Sequence, residues 1–79
     1  MVELTEFLVK SLVKDPDSVS VKKFEDNEDV VTIQVLVDSD DMGAVIGKGG
    51  MIAKAIRTIV CASSYMNGEP RVKIDIDSF

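Results

Sequence analysis

The sequence has no histidine and no tryptophan, and it has only one cysteine and two prolines among 79 residues. Without histidine, a Ser-His-Asp triad, a Cys-His pair and a histidine-ligated metal site are excluded. A single cysteine forms neither an intramolecular disulfide nor a cysteine-rich zinc site, and it suits a reducing compartment. We therefore expect a protein that is not an enzyme and that holds no metal and no cofactor.

Long hydrophobic runs are also absent, since no apolar run approaches the roughly 20 residues of a membrane-spanning helix. Two acids, Glu3 and Glu6, stand where a secretory signal would begin with basic residues. The composition, 46% hydrophobic and 29% charged, is that of a globular chain. A chain this short builds one small core. We expect a single domain over residues 1–79, cytoplasmic and with no membrane partner.

Two segments have the spacing of apolar residues that is typical of amphipathic helices. The first covers residues 3–14 and ends before Pro16, which disfavours helix at the residue preceding it. Its apolar face consists of Leu4, Phe7, Leu8 and Leu12, and Val9 and Val13 widen it. The second covers residues 51–66. Its apolar face consists of Ile52, Ala55, Ile56, Ile59, Val60 and Ser63.

Alternating apolar residues predict strands over residues 18–25, 30–37 and 71–77. A polar turn over residues 26–29 joins the first two strands as an antiparallel hairpin. A short helix follows the second strand and extends to about Ile46, with Ser39, Asp40 and Asp41 as its cap and first-turn acids. The element order α-β-β-α-α-β predicts an α+β two-layer sandwich, with three helices on a three-stranded mixed sheet.

The segment Gly47-Lys48-Gly49-Gly50 separates the last two helices. Because glycine in a helix interior costs up to ~1 kcal/mol, three glycines in four residues need an explanation. A tight turn accounts for one or two of them. Close approach of another backbone, such as a phosphate chain, accounts for all three, since the next helix presents free N–H groups at its start. Lys48 adds a positive charge to this loop.

Two other phosphate-binding loops do not fit this segment. A P-loop requires GxxxxGK followed by Ser or Thr, whereas residues 43–49 have three intervening residues and a final glycine. A dinucleotide-binding fingerprint requires a third glycine that is missing after Gly50. The remaining pattern is GxxG between two helices, the signature of a KH domain.

With its flanking residues, the loop resembles the small bacterial single-KH RNA-binding proteins of the KhpA kind. The resemblance rests on residues 45–50 (VIGKGG) and 52–58 (IAKAIRT), and it covers the whole chain. It implies a type II KH fold and single-stranded RNA held across the GxxG loop and an adjacent apolar groove. It also implies a homodimer, or a heterodimer with a larger KH-containing protein.

The resemblance assigns roles residue by residue. Gly47, Lys48, Gly49 and Gly50 would clamp the phosphates. Ile46 and Ile52 flank the loop and would line the groove. Ile33, Val35 and Val37 on the second strand would either meet bases or belong to the core.

The charges are unevenly distributed along this acidic chain, whose net charge is −5. The 27 residues from Met42 to Gly68 contain Lys48, Lys54, Arg57 and no acid, while all 14 acids lie elsewhere. Lys54 and Arg57 share one helix face within two turns of the loop, where they can reach a phosphate.

Two functions remain open. One is a non-catalytic single-stranded RNA-binding module, acting as a low-specificity RNA chaperone or post-transcriptional regulator. The other is a protein-interaction subunit that dimerises with another KH protein and binds RNA poorly by itself. Their expected responses to salt differ, because phosphate contacts weaken as salt rises.

Overall fold

A computed structural model describes residues 1–25 and 27–79, so Asp26 of the predicted turn lies outside the described residues. The element order is the one that the sequence predicts. The helices and strands are α1 (Val2–Lys10), β1 (Ser20–Glu25), β2 (Val30–Val37), α2 (Met42–Ile46), α3 (Met51–Met66) and β3 (Arg71–Ser78). Single 3₁₀ turns lie before β1, before α2 and between α2 and α3.

The three strands form one mixed sheet in the order β1-β2-β3. β1 is antiparallel to β2, as expected for a hairpin, with Val21 opposite Val35. β3 is parallel to β2, because the chain returns through α2 and α3 before it re-enters the sheet; Ile33 lies opposite Ile74. β1 and β3 are therefore the two edge strands. The predicted α+β fold with three helices on a three-stranded mixed sheet is confirmed.

One face of the sheet packs against all three helices and forms the core. Along β2, buried and half-buried residues alternate strictly, which places every second side chain beneath the helices. The core cluster joins Val9 of α1, Val45 of α2 and Val60 of α3 to the inner faces of β2 and β3. The opposite face of the sheet bears mostly polar and charged side chains, together with Phe24, Val30 and Leu36, and it is open to solvent.

α1 ends at Lys10, four residues before the predicted end of the helix. Beyond it, the N–H groups of Lys14 and Asp15 donate to the Asp41 carboxylate at 3.1 Å and 3.3 Å instead of to helical carbonyls. Asp41 itself is 4% exposed. The residue predicted only as a first-turn acid therefore also ties the start of α2 to the segment after α1.

The predicted apolar faces are partly wrong. Phe7 is 68% exposed, and Ile59 of α3 is 46% exposed. The residues of α3 that are buried against the sheet are Ala53, Ile56, Val60 and Ser64. They can pack against the sheet because Ala53 is small and because the buried Ser64 hydroxyl donates a hydrogen bond to the Pro70 carbonyl at 2.9 Å. The helix is consequently rotated from its expected orientation, and part of its apolar surface faces outward.

Candidate nucleic-acid interface

The loop between α2 and α3 depends on the backbone freedom of glycine. Gly47, Gly49 and Gly50 all have positive φ, at 75°, 65° and 76°. Gly47 combines this φ with a ψ of 173°, a region that is essentially restricted to glycine. A Cβ on Gly47 would also lie 2.6 Å from Ile52 Cγ1. Backbone conformation therefore accounts for all three glycines, where the sequence suggested that a turn explains only one or two.

The outer side of the same loop is open. A Cβ added to Gly49 or Gly50 would have no heavy atom within 4 Å, and Lys48 between the glycines is exposed. Among the described residues, no side chain caps the start of α3, so the positive end of its helix dipole faces the loop. This geometry allows an anionic backbone to approach the main chain closely.

The remaining residues expected at the site lie around this loop. Ile46 ends α2, and Ile52 packs beneath Gly47; both side chains are half-buried. Arg57 lies two turns into α3, and its Nε donates to the Ile74 carbonyl at 3.4 Å, so its guanidinium lies against β3. Lys54, one turn earlier in the helix, is exposed.

The three strand residues considered for base contacts belong to the core. Ile33, Val35 and Val37 are at most 1% exposed beneath the helices. They cannot reach a base without opening the two layers. Of the two roles that the sequence left open for them, the core role is the one that the structure supports.

The resemblance implied an apolar groove beside the loop, but sequence reasoning missed the lining of the groove that lies between α3 and the outer edge of β3. Its volume is about 460 Å³, and it is lined by Arg57, Cys61, Arg71, Val72, Lys73 and Ile74. Every charged side chain in this lining is a cation. The Cys61 thiol donates to the Val72 carbonyl at 3.3 Å, just as Arg57 donates to the Ile74 carbonyl, so both side chains hold α3 against β3. The alternation of Arg71 and Lys73 with apolar residues was visible in the sequence, but their position beside α3 was not.

The cations near the loop and groove are not neutralised by nearby acids. The two ion pairs among the described residues are Lys10–Glu6 at 3.0 Å and Lys23–Glu25 at 3.5 Å. Neither involves Lys48, Lys54, Arg57, Arg71 or Lys73. Their positive charge is therefore available to an anionic ligand.

The acidic turn between β1 and β2 lies at the other end of the sheet from the glycine loop. The Arg71 N–H donates to the Asp29 carbonyl at 3.0 Å, which places the turn beside the start of β3. The glycine loop follows the opposite end of β2 and is separated from it by α2; the eight-residue strand itself spans about 25 Å. The acids of the turn thus border the end of the groove at Arg71, while Asp75 and Asp77 lie toward the other end of β3.

Within residues 1–25 and 27–79, no cluster of three potential ligands among His, Cys, Asp and Glu is positioned to hold a metal ion. In the same part of the chain, every helix is too short or too polar to cross a bilayer.

A short and a long helix joined by a GxxG loop, set between two parallel neighbouring strands, form the arrangement of a KH domain. The chain belongs to the KhpA/KhpB KH-domain family, whose model matches residues 2–76. Its relatives are bacterial. It is 46% identical over 76 residues to the RNA-binding protein KhpA of Oceanobacillus iheyensis, covering 96% of this chain and 99% of that protein. With the RNA-binding protein KhpA of Clostridium perfringens the identity is 47% over the same shares of the two chains.

Solved structures of Era share the fold. The crystal structure of an Aquifex aeolicus Era variant bound to GDP.AlF4⁻ matches with a TM-score of 0.69 at 20% identity, over 99% of this chain and 30% of Era. Era in complex with MgGDPNP and a 16S ribosomal RNA segment matches with a TM-score of 0.64 at 22% identity, over 98% of this chain and 29% of Era. The chain thus spans about a third of the Era chain, and the likeness is one of fold.

Proposed function

We propose that this protein is a non-catalytic, single-stranded RNA-binding module formed by one KH domain over residues 1–79. The observation that carries the proposal is the Gly47–Gly50 loop, whose open main chain is combined with the exposed, unpaired Lys48. Its relatives carry the name RNA-binding protein. No cofactor has a part in this function.

The proposed clamp works through backbone contacts. Phosphates lie against Gly49 and Gly50 at the positive end of α3, and Lys48, Lys54 and Arg57 supply mobile positive charge. Ile46 and Ile52 support the loop from its inner side. From the loop, the groove between α3 and β3 offers room for bases. A GxxG loop holds about four nucleotides, and so short a footprint carries little sequence information. A low-specificity RNA chaperone or post-transcriptional regulator of the cytoplasm fits this behaviour.

The outward face of α3 provides a surface for dimerisation. Its apolar positions run along the helix without a charged residue among them and consist of Met51, Ala55, Ile59, Ala62 and Met66. Three of these side chains, Met51, Ile59 and Met66, are large and exposed. A second copy of the chain or a larger KH-containing protein would bury them. A homodimer would join two short RNA footprints and raise avidity.

Dimerisation on this face leaves the groove accessible. Ile59 and Arg57 are two residues apart, which is about 200° around an α-helix. Arg57 turns toward β3, so Ile59 lies on nearly the opposite side of α3. The same helix can therefore meet a partner protein and RNA at once.

The test is an NMR and fluorescence-anisotropy titration with short random-sequence RNA at low salt. We expect shifts centred on Gly47–Gly50, Lys54 and Arg57. The double variant Lys48→Asp/Gly49→Asp should stay folded, because the left-handed backbone at Gly49 tolerates Asp. It should lose RNA binding, because negative charge then occupies the phosphate path.

A matched control is Lys14→Asp/Asn67→Asp, which changes the net charge equally at two exposed positions outside the loop. It should bind RNA nearly as well as the unaltered protein. If the loop variant keeps its affinity while circular dichroism shows it folded, the clamp is not the binding site.

A second function is favoured by the exposed α3 face and the acidic body of the molecule. In this alternative the protein is an interaction subunit that pairs with another KH protein and binds RNA poorly alone. Absence of any RNA-induced shift, together with stable dimerisation, would favour it.

A further inference from the structure

Phe24 lies on the open face of the sheet. It breaks the alternation expected for β1, and the register explains why. Val21 pairs with Val35 on the buried face, so Phe24, three residues later and opposite Thr32, must point the other way. No helix covers this face, and Phe24 is 48% exposed.

The side chains that share this part of the sheet with Phe24 are cationic or polar, apart from Val30. Lys22 lies two residues before it on the same strand and the same face. Lys73 lies across the sheet in the same row, since Thr32 pairs with both Phe24 and Lys73. Arg71 pairs with Val30 in the adjacent row. Strand spacing places the Phe24 and Lys73 backbones about 10 Å apart.

These three cations are unpaired within the part of the chain that the structure describes, since its ion pairs involve Lys10 and Lys23. The acids of β3, Asp75 and Asp77, lie further along that strand, opposite Gln34 and Leu36. Lys22 lies in the same row as Asp75, with Gln34 between them. Cations therefore predominate around Phe24, and acids predominate toward the end of β3. A single exposed aromatic side chain on a protein surface is ordinary. An aromatic ring flanked by three unneutralised cations on a protein of net charge −5 has the chemistry of a base-stacking platform for a single strand.

The platform is continuous with the proposed RNA groove. Arg71 and Lys73 both line the groove beside α3 and belong to the outward row of β3. The acidic turn borders the platform at the start of β2, so a polyanion would approach it across the part of the β3 edge that carries Arg71 and Lys73. A strand leaving the groove over that edge meets Lys73 first and Phe24 next.

We propose that the open face of the sheet is a second contact surface for single-stranded RNA. One base stacks on Phe24, and Lys22, Arg71 and Lys73 contact the neighbouring phosphates. This inference rests on the proposed function and extends its footprint beyond the roughly four nucleotides that a GxxG loop holds.

The test compares affinities for a four-nucleotide RNA and for one of roughly eight nucleotides, twice the GxxG footprint. Phe24→Ala should leave binding of the short RNA unchanged and weaken binding of the long RNA about fivefold or more, the loss expected for one stacked base. Phe24→Tyr, which keeps a stacking ring, should retain affinity for the long RNA. The double variant Lys22→Gln/Lys73→Gln should weaken binding of the long RNA and reduce the salt dependence of that binding.

Phe7→Ala is the matched control, because Phe7 is an equally large exposed ring on the helical layer. It should affect neither RNA. Thermal unfolding followed by circular dichroism verifies that each variant is folded. Should Phe24→Ala destabilise the domain, the tyrosine variant and the lysine pair still test the surface.

The outcomes separate this inference from the proposed clamp. If the loop variant Lys48→Asp/Gly49→Asp loses RNA while Phe24→Ala binds both lengths normally, the clamp stands and the platform is wrong. If Phe24→Ala loses affinity for the long RNA and the loop variant keeps that affinity, the platform stands and the clamp is wrong. If the unaltered protein binds neither RNA, both are wrong, and Phe24 with its cations belongs to a protein contact.

Discussion

Single residues determine the shape of the glycine loop, and Gly47 does so most strongly. Gly49 and Gly50 occupy left-handed conformations with free space where a Cβ would be. Gly47 adopts a backbone conformation that is essentially restricted to glycine. In addition, a Cβ at Gly47 would clash with the side chain of Ile52. The glycines of one motif thus differ in what they contribute, and only Gly47 has a packing requirement.

We predict that Gly47→Ala lowers the free energy of unfolding by at least about 2 kcal/mol, from backbone strain and the clash with Ile52. Urea denaturation followed by circular dichroism measures it. Gly43→Ala is the control, since Gly43 lies in α2 with nothing within 4 Å of the added Cβ. It should be neutral or stabilising by roughly 0.5–1 kcal/mol. Equal stabilities of the two variants would contradict this account of the loop.

At the scale of elements, α3 has three sides with different surroundings. One side, centred on Val60, is buried against the sheet. The side that carries Arg57 and Cys61 forms a wall of the β3 groove through contacts to β3 carbonyls. The outward side, with Ile59, is apolar and exposed. A helix that only covered a sheet would have polar residues there, and this difference supports a protein partner on that side.

We predict that Ile59→Glu weakens self-association about tenfold or more, because burying an isoleucine contributes roughly 1.5–3 kcal/mol and burying a charge opposes association. Sedimentation equilibrium over a range of concentrations measures the change. Phe7→Glu, at an exposed apolar position on α1, should leave the association unchanged. A wild-type chain that is monomeric at every concentration, or an unaltered mass for Ile59→Glu, would show that α3 is not the interface.

Across the whole molecule, charge is segregated in a way that the net value conceals. The glycine loop and the β3 groove carry cations, while acids lie on the hairpin turn and at the end of β3. The acidic body repels RNA at a distance, and the local cations attract it at contact. Binding should therefore be modest and sensitive to ionic strength.

We predict that log K for RNA falls with log salt with a slope of about −2, as about three phosphate contacts on a single strand require. Fluorescence anisotropy between about 50 and 200 mM salt measures the slope. Dimerisation through the apolar face of α3 should change little over the same range. A slope near zero for RNA would mean that phosphates are not the main contact and would favour the interaction-subunit alternative.

Local patterns were enough to predict the elements and the position of the glycine loop between α2 and α3. Period-two and period-3.6 spacing identified the strands and helices, and the GxxG segment between two helices identified the family and the loop residues, since both depend on short-range spacing. Tertiary contacts decided the rest. Beyond the end of α1, the N–H groups of Lys14 and Asp15 donate to Asp41, which is 27 and 26 residues away, and not to helical carbonyls. The buried side of α3, the groove at β3 and the exposed platform around Phe24 follow from which elements pack together. Spacing along the chain does not contain that information, because several faces of α3 and both faces of β1 carry apolar residues.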